Sequence, residues 1–286
     1  MKVAAVLSLA MTLLPMAFAQ SKPQVFLNHA YVVPDQATYD AVATSTFLRE
    51  QFGAFESRTT VRKDMTYTGL YWYGHETYFE LLQPSKDDRV PSGIAFGVEE
   101  PDGLRAMQAQ GASGTIVPVT RQAEGKDVNW FYMLGIDLGV KPPSTQWFAI
   151  EYEPDFLSNW YPQFPPQKAS LRREDVLVRY AAKIGKLVQR QQGLFANVTA
   201  IDLRLAPEEA RAAVKLCRQI GYKLKEGSPT ICTGPEVAFR IAEANSGRMG
   251  ITAVDFRLTR EKDGEQILQL GNSVLRFEGL RATWKF

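Results

Sequence analysis

His29 and Glu80 are the two side chains of this sequence whose type and setting most directly allow chemistry. His29 is one of two histidines and stands in FLNHAYVV at 26–33, where alternating polarity predicts a β-strand. Glu80 stands in TYFELLQP at 77–84, an apolar strand on which a carboxylate needs a partner. Neutral imidazole and carboxylate groups can bind Zn, Fe, Mn or Ni, and they can also transfer protons or contact a bound ligand. A structural core histidine is the third interpretation of His29.

Aromatic residues are concentrated on the same predicted strands and on the strands that follow them. Strict alternation would place Leu27, His29 and Tyr31 on one face of the first strand. Ordinary core packing accounts for such residues, and so does an aromatic pocket for a small, partly apolar molecule. The candidate ligand-binding residues are Tyr31, Tyr71, Tyr73, Tyr78, Trp130 and Trp147.

The strand that carries His29 opens a group of elements in the order β-α-β-β-β. A helical pattern follows at 37–52. The β-branched stretch SRTTVRK at 57–63 is the next strand, and two further strands form a hairpin through the turn at 74–76. The same order of elements recurs from residue 92 to residue 154. Repeated units of this length must pair to bury their sheet faces. We therefore predict an α+β fold in which βαβββ units pair into two curved-sheet halves.

An internal repeat marks the second half. TAIDLRL at 199–205 returns as TAVDFRL at 252–258, with a strong helix pattern after the first copy. The unit that begins at Gly250 is shortened, and SVLRFEG is predicted as its last strand.

The predicted boundaries follow from these units. The first half spans 25–154, a linker and helix span 155–195, and the second, shortened half spans 196–286. The helix at 171–192 is amphipathic and basic, which is typical either of a solvated helix packed between the two halves or of a membrane-surface helix.

This organisation resembles the vicinal oxygen chelate superfamily, which includes glyoxalases, extradiol dioxygenases and bleomycin-resistance proteins. Glyoxalase-like members of unassigned function are the most similar group. By position, the resemblance implies His29 as a first-strand metal ligand and Glu80 as a last-strand ligand and catalytic group. Glu151 is the best additional ligand, and the cofactor would be one divalent metal ion. The implied chemistry is metal-assisted isomerase, lyase or dioxygenase-type reaction of a small molecule.

The other units depart from that pattern. Arg240 occupies the position that matches Glu80, and the positions assigned to match His29 are all apolar, at Ile94, Ala95 or Phe96, Ile201 and Val254. A non-catalytic, metal-free binding or structural module on the same fold is therefore the alternative function.

Composition and the first residues indicate the setting of the protein. The formal net charge of +2 argues against nucleic acid as a partner. Residues 1–19 have the pattern of a secretory signal peptide, which predicts a protein exported to the periplasm or secreted, without a stable membrane anchor after cleavage. Cys217 and Cys232 are the only cysteines and form either one disulfide or two buried thiols.

Overall fold

The computed structural model describes residues 24–61, 66–85, 90–123, 126–154, 156–157 and 171–286. The predicted signal peptide at 1–19 and most of the predicted linker, at 155 and 158–170, lie outside the described residues.

The first half forms one eight-stranded sheet with the strand order β2-β3-β4-β1-β5-β8-β7-β6. Each unit follows the predicted order, with its helix between the first and second strands. The elements of the first unit are β1 (Phe26–Val32), α1 (Gln36–Thr44), β2 (Ala54–Val61), β3 (Thr66–Tyr73) and β4 (Tyr78–Leu82). Those of the second are β5 (Ser92–Gly97), α2 (Gly103–Ala109), β6 (Ile116–Ala123), β7 (Lys126–Ile136) and β8 (Gln146–Tyr152).

The pairing of the first strands explains how two units make one sheet. In each unit the first and last strands are parallel, because the helix carries the chain back across the sheet. β1 and β5 pair antiparallel and join the units at the centre. The predicted helix at 37–52 is shorter than expected, since α1 ends at Thr44 and a π-helical turn follows at Leu48–Phe52.

The second half forms another eight-stranded sheet, ordered β10-β11-β12-β9-β13-β16-β15-β14. Two helices precede it, α3 (Arg173–Lys183) and α4 (Leu187–Gln192). The third unit contains β9 (Phe195–Leu205), α5 (Pro207–Gln219), β10 (Lys223–Lys225), β11 (Thr230–Thr233) and β12 (Ala238–Glu243). The fourth contains β13 (Gly250–Leu258), β14 (Ile267–Leu270), β15 (Ser273–Glu278) and β16 (Arg281–Lys285).

The fourth unit is shortened because it lacks the helix between its first two strands. Without that crossover β16 runs antiparallel to β13, whereas the last strand of each other unit is parallel to its first. The prediction that SVLRFEG is the last strand is wrong. It forms β15, and β16 follows after a short turn at Gly279 and Leu280.

The two sheets share one hydrophobic core, and the predicted α+β architecture of two paired-unit halves is confirmed. Trp147 of the first sheet contacts Phe239 of the second, and Trp72 contacts Trp284. Cys217 and Cys232 are buried in this core as free thiols, so the structure holds the second of the two predicted cysteine states.

The predicted helix at 171–192 is divided between α3 and α4. Gly185, with φ of +68°, lies between them in the left-handed region that glycine tolerates. Residues of α3 pack on the first sheet, which favours the packed-helix interpretation over a membrane-surface helix. Among the described residues, no helix has both the length and the apolar character needed to cross a membrane.

Candidate functional site

The face of the first sheet that points away from the shared core borders a cavity of about 510 Å³. α3 closes the opposite side through Val176, Leu177 and Tyr180. Side chains from both units of the sheet line the cavity, among them His29, Tyr31, Tyr78, Glu80, Phe148 and Tyr152. Aromatic and aliphatic side chains dominate the lining, and a few polar groups converge on one wall.

A β-bulge at Asn28 directs His29 into this cavity. The pairing of β1 with β5 shifts register between Leu27 and His29, so one additional residue stands on β1. Leu27 therefore packs in the shared core, whereas His29 and Tyr31 face the cavity. The prediction from strict alternation, which placed Leu27 and His29 on one face, is wrong for this reason.

The imidazole of His29 is buried among aromatic rings. It stacks on Tyr78 with ring centroids 4.3 Å apart, and Phe148 approaches it edge-on at 5.6 Å. Its Nδ1 lies 2.9 Å from Asn28 Oδ1, which can only accept a hydrogen bond. Nδ1 therefore carries the proton and Nε2 presents a lone pair. Desolvation by burial lowers the pKa of His29 to about 3, so the ring is neutral.

Glu80 of β4 lies next to His29 on the same cavity wall. Its Oε1 is 3.8 Å from His29 Nε2, which is longer than a hydrogen bond. Burial raises the pKa of Glu80 to about 8, although the positive charge of Arg58 opposes this rise. The two groups lie within ion-pair distance of each other, but neither is charged, because desolvation favours the neutral form of each group.

Arg58 adds a charged network beside this neutral pair. It lies on β2 in the cavity lining, donates to Glu56 Oε2 at 3.1 Å and to the hydroxyl of Tyr180, and stacks over Tyr71 at 4.4 Å. Glu56 Oε2 also accepts from Tyr73 at 2.7 Å and from Tyr180 at 2.9 Å. The network ties α3 to the sheet, and Glu56 balances the charge of Arg58.

Most of the predicted site residues come together in this cavity. His29, Tyr31, Tyr73, Tyr78, Glu80 and Trp130 line it. Tyr71 is buried on the same face, beneath the guanidinium of Arg58.

Trp147 and Glu151 do not belong to this group, because they lie on the other face of β8. Trp147 stacks with Phe96 in the core shared by the sheets. Glu151 accepts hydrogen bonds from the backbone N–H groups of Asp102, at 2.9 Å, and Leu104, at 3.1 Å, at the start of α2. Its carboxylate stabilises that helix end and lies on the face opposite His29 and Glu80, so it cannot join them as a metal ligand.

From the sequence, Arg58 was only one of several possible partners of Glu80, and its own partner Glu56 was missed. The two stand two apart in AFESRTTV, and this alternation was the signal that they share a strand face. Other residues of the cavity were also missed. Tyr180 reaches the site from α3, and no pattern along the chain indicated that this helix covers the first sheet. Tyr67, Gln146, Phe148 and Tyr152 were missed as well.

The residues present do not fit the metal site that the resemblance implies. Such a site takes ligands from both paired units. The pairing of the strands shows that Ala95 and Ile150 of the second unit occupy the positions of His29 and Glu80. Neither side chain can bind a metal. Among the described residues, no group of three His, Cys, Asp or Glu side chains is arranged to hold an ion. Within the described residues, only His29 and Glu80 meet as possible ligands on this wall of the cavity.

The pairing of the strands also corrects the residues predicted to occupy the position of His29 in the second half. Ala238, which matches Tyr78, pairs with Ala200, and Ala200 pairs with Asp255. The positions that match His29 and Ala95 are therefore Ala200 and Asp255, not Ile201 and Val254. Arg240, at the position of Glu80, forms ion pairs with Asp202 and with Asp255, the latter at 2.8 Å. The second sheet thus carries a cluster of ion pairs where the first carries His29 and Glu80.

Comparison with solved structures retrieves proteins with related arrangements of elements. Homoprotocatechuate 2,3-dioxygenase from Brevibacterium fuscum matches 83% of this chain at 11% identity and a TM-score of 0.40, and the match covers 63% of that enzyme. A variant of 4-hydroxymandelate synthase from Streptomyces coelicolor matches 77% of this chain and 63% of that one, at 12% identity and a TM-score of 0.38. BphC, a halotolerant catechol dioxygenase, matches 82% of this chain and 68% of that one, at 10% identity and a TM-score of 0.35.

These similarities are weak and give no information about activity. This chain spans less than two thirds of the length of the first two of these proteins. As the sequence predicted, each sheet is built from two paired units, and the first three units have the βαβββ order of the vicinal oxygen chelate fold. No curated protein sequence matches significantly. A family model matches residues 27–286, and the chain therefore belongs to DUF5829, a family of unknown function.

Proposed function

We propose that this protein binds a small, flat, partly apolar molecule with a hydroxyl group in the cavity of its first half, without a resident metal. The observation that carries the proposal is the neutral pair of His29 and Glu80, which faces an aromatic cavity of about 510 Å³. That volume lies in the range typical of small-molecule sites.

The pair offers one hydrogen-bond acceptor and one donor. His29 Nε2 accepts, because Nδ1 is engaged with Asn28, and a protonated Glu80 donates. Their separation of 3.8 Å leaves no direct hydrogen bond but allows one oxygen to contact both groups. A hydroxyl group satisfies both at once, since it can accept from Glu80 and donate to His29.

The rest of the cavity favours a flat and uncharged ligand. Tyr78 and Phe148 hold the imidazole between them and present their rings to the same space. Arg58 is the cation in the lining, and its charge is balanced by Glu56. A phenol or another ring that carries a hydroxyl group combines these features.

Metal-free proton transfer is a second candidate function. Glu80 has a pKa of about 8, close to neutral pH, which suits a general acid or base. It would exchange a proton with the bound molecule while His29 holds the adjacent oxygen. Deuterium exchange into a bound carbon acid, lost in Glu80→Gln, tests this function separately from binding. The metal-assisted isomerase, lyase or dioxygenase chemistry is not part of the proposal, because the ligand set is incomplete.

Two substitutions of Glu80 test the binding proposal. Glu80→Gln keeps a neutral donor, whereas Glu80→Leu removes it. Isothermal titration calorimetry of the chelator-treated protein with phenol or catechol should show saturable binding. We expect Glu80→Gln to keep the affinity within about threefold and Glu80→Leu to weaken it about tenfold, the value of roughly one lost hydrogen bond.

Glu151→Gln is the matched control, because it neutralises a carboxylate on the other face of the same sheet. It should leave binding unchanged. Saturable binding that requires added Fe²⁺, Mn²⁺ or Zn²⁺, or that is lost in Glu80→Gln, would show that the carboxylate acts as a metal ligand and would contradict the proposal.

We also propose that the protein is exported and cleaved after residue 19, on the basis of the apolar segment and small-residue pattern at 1–19. Mass spectrometry of the mature protein should show an N-terminus at Gln20. A mature chain that begins at Met1 would contradict this.

A further inference from the structure

The second sheet has a face that is open to solvent, which we call the open face. Along its strands, Trp284, Leu275 and Phe256 point into the shared core, and the alternate residues point outward. In the first sheet the corresponding face lines the cavity beneath α3. In the second sheet, all of whose residues are described, the outward side chains are exposed or half-buried, apart from Asn197, Ala200 and Ala253, which are buried.

The open face is strongly basic. It carries Arg204, Arg240, Arg257, Arg276, Arg281 and Lys285 on the strands from β9 to β16. Lys223 and Lys225 of β10 extend it at the edge, because they alternate with Leu224, which packs against the core. The carboxylates on this face are Asp202, Asp255 and Glu278. Eight positive and three negative side chains give the open face a formal charge of +5. The whole chain has a net charge of only +2, so the rest of the protein is acidic overall.

Internal ion pairs neutralise only one part of this charge. Asp202 and Asp255 both bind Arg240, and Glu278 lies across from Arg281 on the paired strand. Within the described residues, Arg257, Arg276 and Lys285 form no ion pair, and all three side chains are exposed. Their charge is therefore available to an external anionic partner.

The composition of the open face favours a surface of anionic lipid over other anions. Side chains on neighbouring strands lie about 5 Å apart, so the basic residues can contact several headgroups at once. No aromatic side chain on these strands points outward, so the face lacks the stacking platforms that bind single-stranded nucleic acid. Two exposed apolar residues, Ile267 and Leu280, flank the basic residues at 40% and 54% exposure. Such residues can enter the headgroup region.

We propose that the open face docks the protein reversibly on bilayer surfaces that contain anionic phospholipid. The docking is electrostatic, because clusters of Lys and Arg bind such surfaces and the interaction weakens as salt screens it. The cavity of the first half lies on the other sheet and stays accessible to its ligand. This inference does not depend on the function proposed for that cavity.

Flotation of the purified mature protein, which begins at Gln20, with lipid vesicles tests the proposal. Vesicles of phosphatidylcholine with 30% phosphatidylglycerol are compared with pure phosphatidylcholine at about 50, 150 and 500 mM NaCl, a range over which screening rises steeply. We expect binding to the anionic vesicles at low salt, at least tenfold weaker binding at the highest salt, and none to the neutral vesicles. Absence of binding to anionic vesicles at low salt would overturn the proposal, as would equal binding to both vesicle types.

Charge-matched variants locate the surface. Arg257→Gln, Arg276→Gln and Lys285→Gln together should reduce vesicle binding at least tenfold. The same loss of three charges at Arg105→Gln, Arg211→Gln and Lys215→Gln, which are exposed on α2 and α5, should leave it within twofold.

Arg257→Lys with Arg276→Lys retains the charge and should retain binding, which separates loss of charge from loss of fold. The N-terminal segment is common to every variant and cannot produce a difference between the sets. Equal losses in both neutralised sets would indicate a general charge effect and overturn the assignment to the open face. Binding of a soluble acidic polysaccharide but not of vesicles would overturn the choice of lipid.

Discussion

His29 and Glu80 lie side by side in a setting that removes the charge from both, and this is the main chemical feature of the site. The sequence indicated both residues, because a histidine and a carboxylate on apolar strands need an explanation. It could not give their protonation, which depends on burial by Tyr78, Phe148 and the covering helix. Nor could it indicate the bulge at Asn28 that directs His29 into the cavity, because alternation is the only pattern that a strand displays along the chain.

The pH dependence of stability should show both perturbed groups. The folded pKa of Glu80 is raised from 4.5 to about 8, so its contribution to the free energy of unfolding is full below pH 4.5 and is lost as pH rises to 8. The folded pKa of His29 is lowered from 6.5 to about 3, so its contribution is present above pH 6.5 and is lost as pH falls to 3. The two slopes oppose each other between pH 4.5 and 6.5 and give a plateau.

Urea denaturation from pH 3 to pH 9 measures this profile. Above pH 6.5 we expect the wild-type protein to lose stability with a slope of up to about 1.4 kcal/mol per pH unit, the value for one proton. Glu80→Gln should flatten this alkaline decline and replace the plateau by an acid decline that begins near pH 6.5, because only the slope of His29 remains. If Glu80→Gln and Glu151→Gln give the same profile as wild type, Glu80 is not protonated in the folded protein.

At the scale of secondary structure, α3 covers one face of the first sheet and forms the opposite wall of the cavity. Helical periodicity predicted a helix here, although as one segment at 171–192, and the sequence did not indicate which face of which sheet it covers. Arg173 anchors it. The side chain is 3% exposed, and it binds Glu99 at 2.8 Å, the backbone oxygen of Leu27 at 2.8 Å and Glu236 at 2.7 Å. The ion pairs of Arg173 fix the position of this helix. Hydrophobic periodicity contains no information about such long-range ion pairs.

Substitution of Arg173 should therefore be costly. Arg173→Gln leaves Glu99 without its buried partner, and we expect a loss of about 3–5 kcal/mol in the free energy of unfolding. Arg172→Gln is the matched control, because Arg172 is exposed and its ion pair with Glu174, at 3.5 Å, lies at the surface. It should change stability by about 0.5 kcal/mol or less. Similar values for the two variants in urea denaturation would contradict the role assigned to Arg173.

At the scale of the whole molecule, four related units make two sheets around one core. The repeat of TAIDLRL and TAVDFRL, together with the order of the elements, predicted this organisation. The same comparison gave the wrong equivalents of His29, because the pairing of the strands follows bulges that shift the register by one residue. Contacts between the halves were also hidden in the sequence. Glu209 at the start of α5 is 1% exposed and accepts hydrogen bonds from Ser144 and Thr145 of the first half.

Glu209 should stabilise the association of the two halves. Glu209→Ala leaves two buried backbone N–H groups and a hydroxyl without an acceptor, and we expect a loss of roughly 3 kcal/mol. Glu208→Ala removes an exposed carboxylate from the same helix turn and should cost less than about 1 kcal/mol. Thermal and urea unfolding of both variants compare these costs. A larger loss for Glu208→Ala than for Glu209→Ala would show that the helix end, and not the contact between halves, determines the effect.

A crystal structure of the chelator-treated protein soaked with phenol tests the central claim most directly. We predict a phenol ring beside Tyr78 and Phe148, with its oxygen within about 3.2 Å of both Glu80 and His29 Nε2, the limit of a good hydrogen bond. A metal ion held between His29 and Glu80, or phenol bound only outside this cavity, would contradict the account.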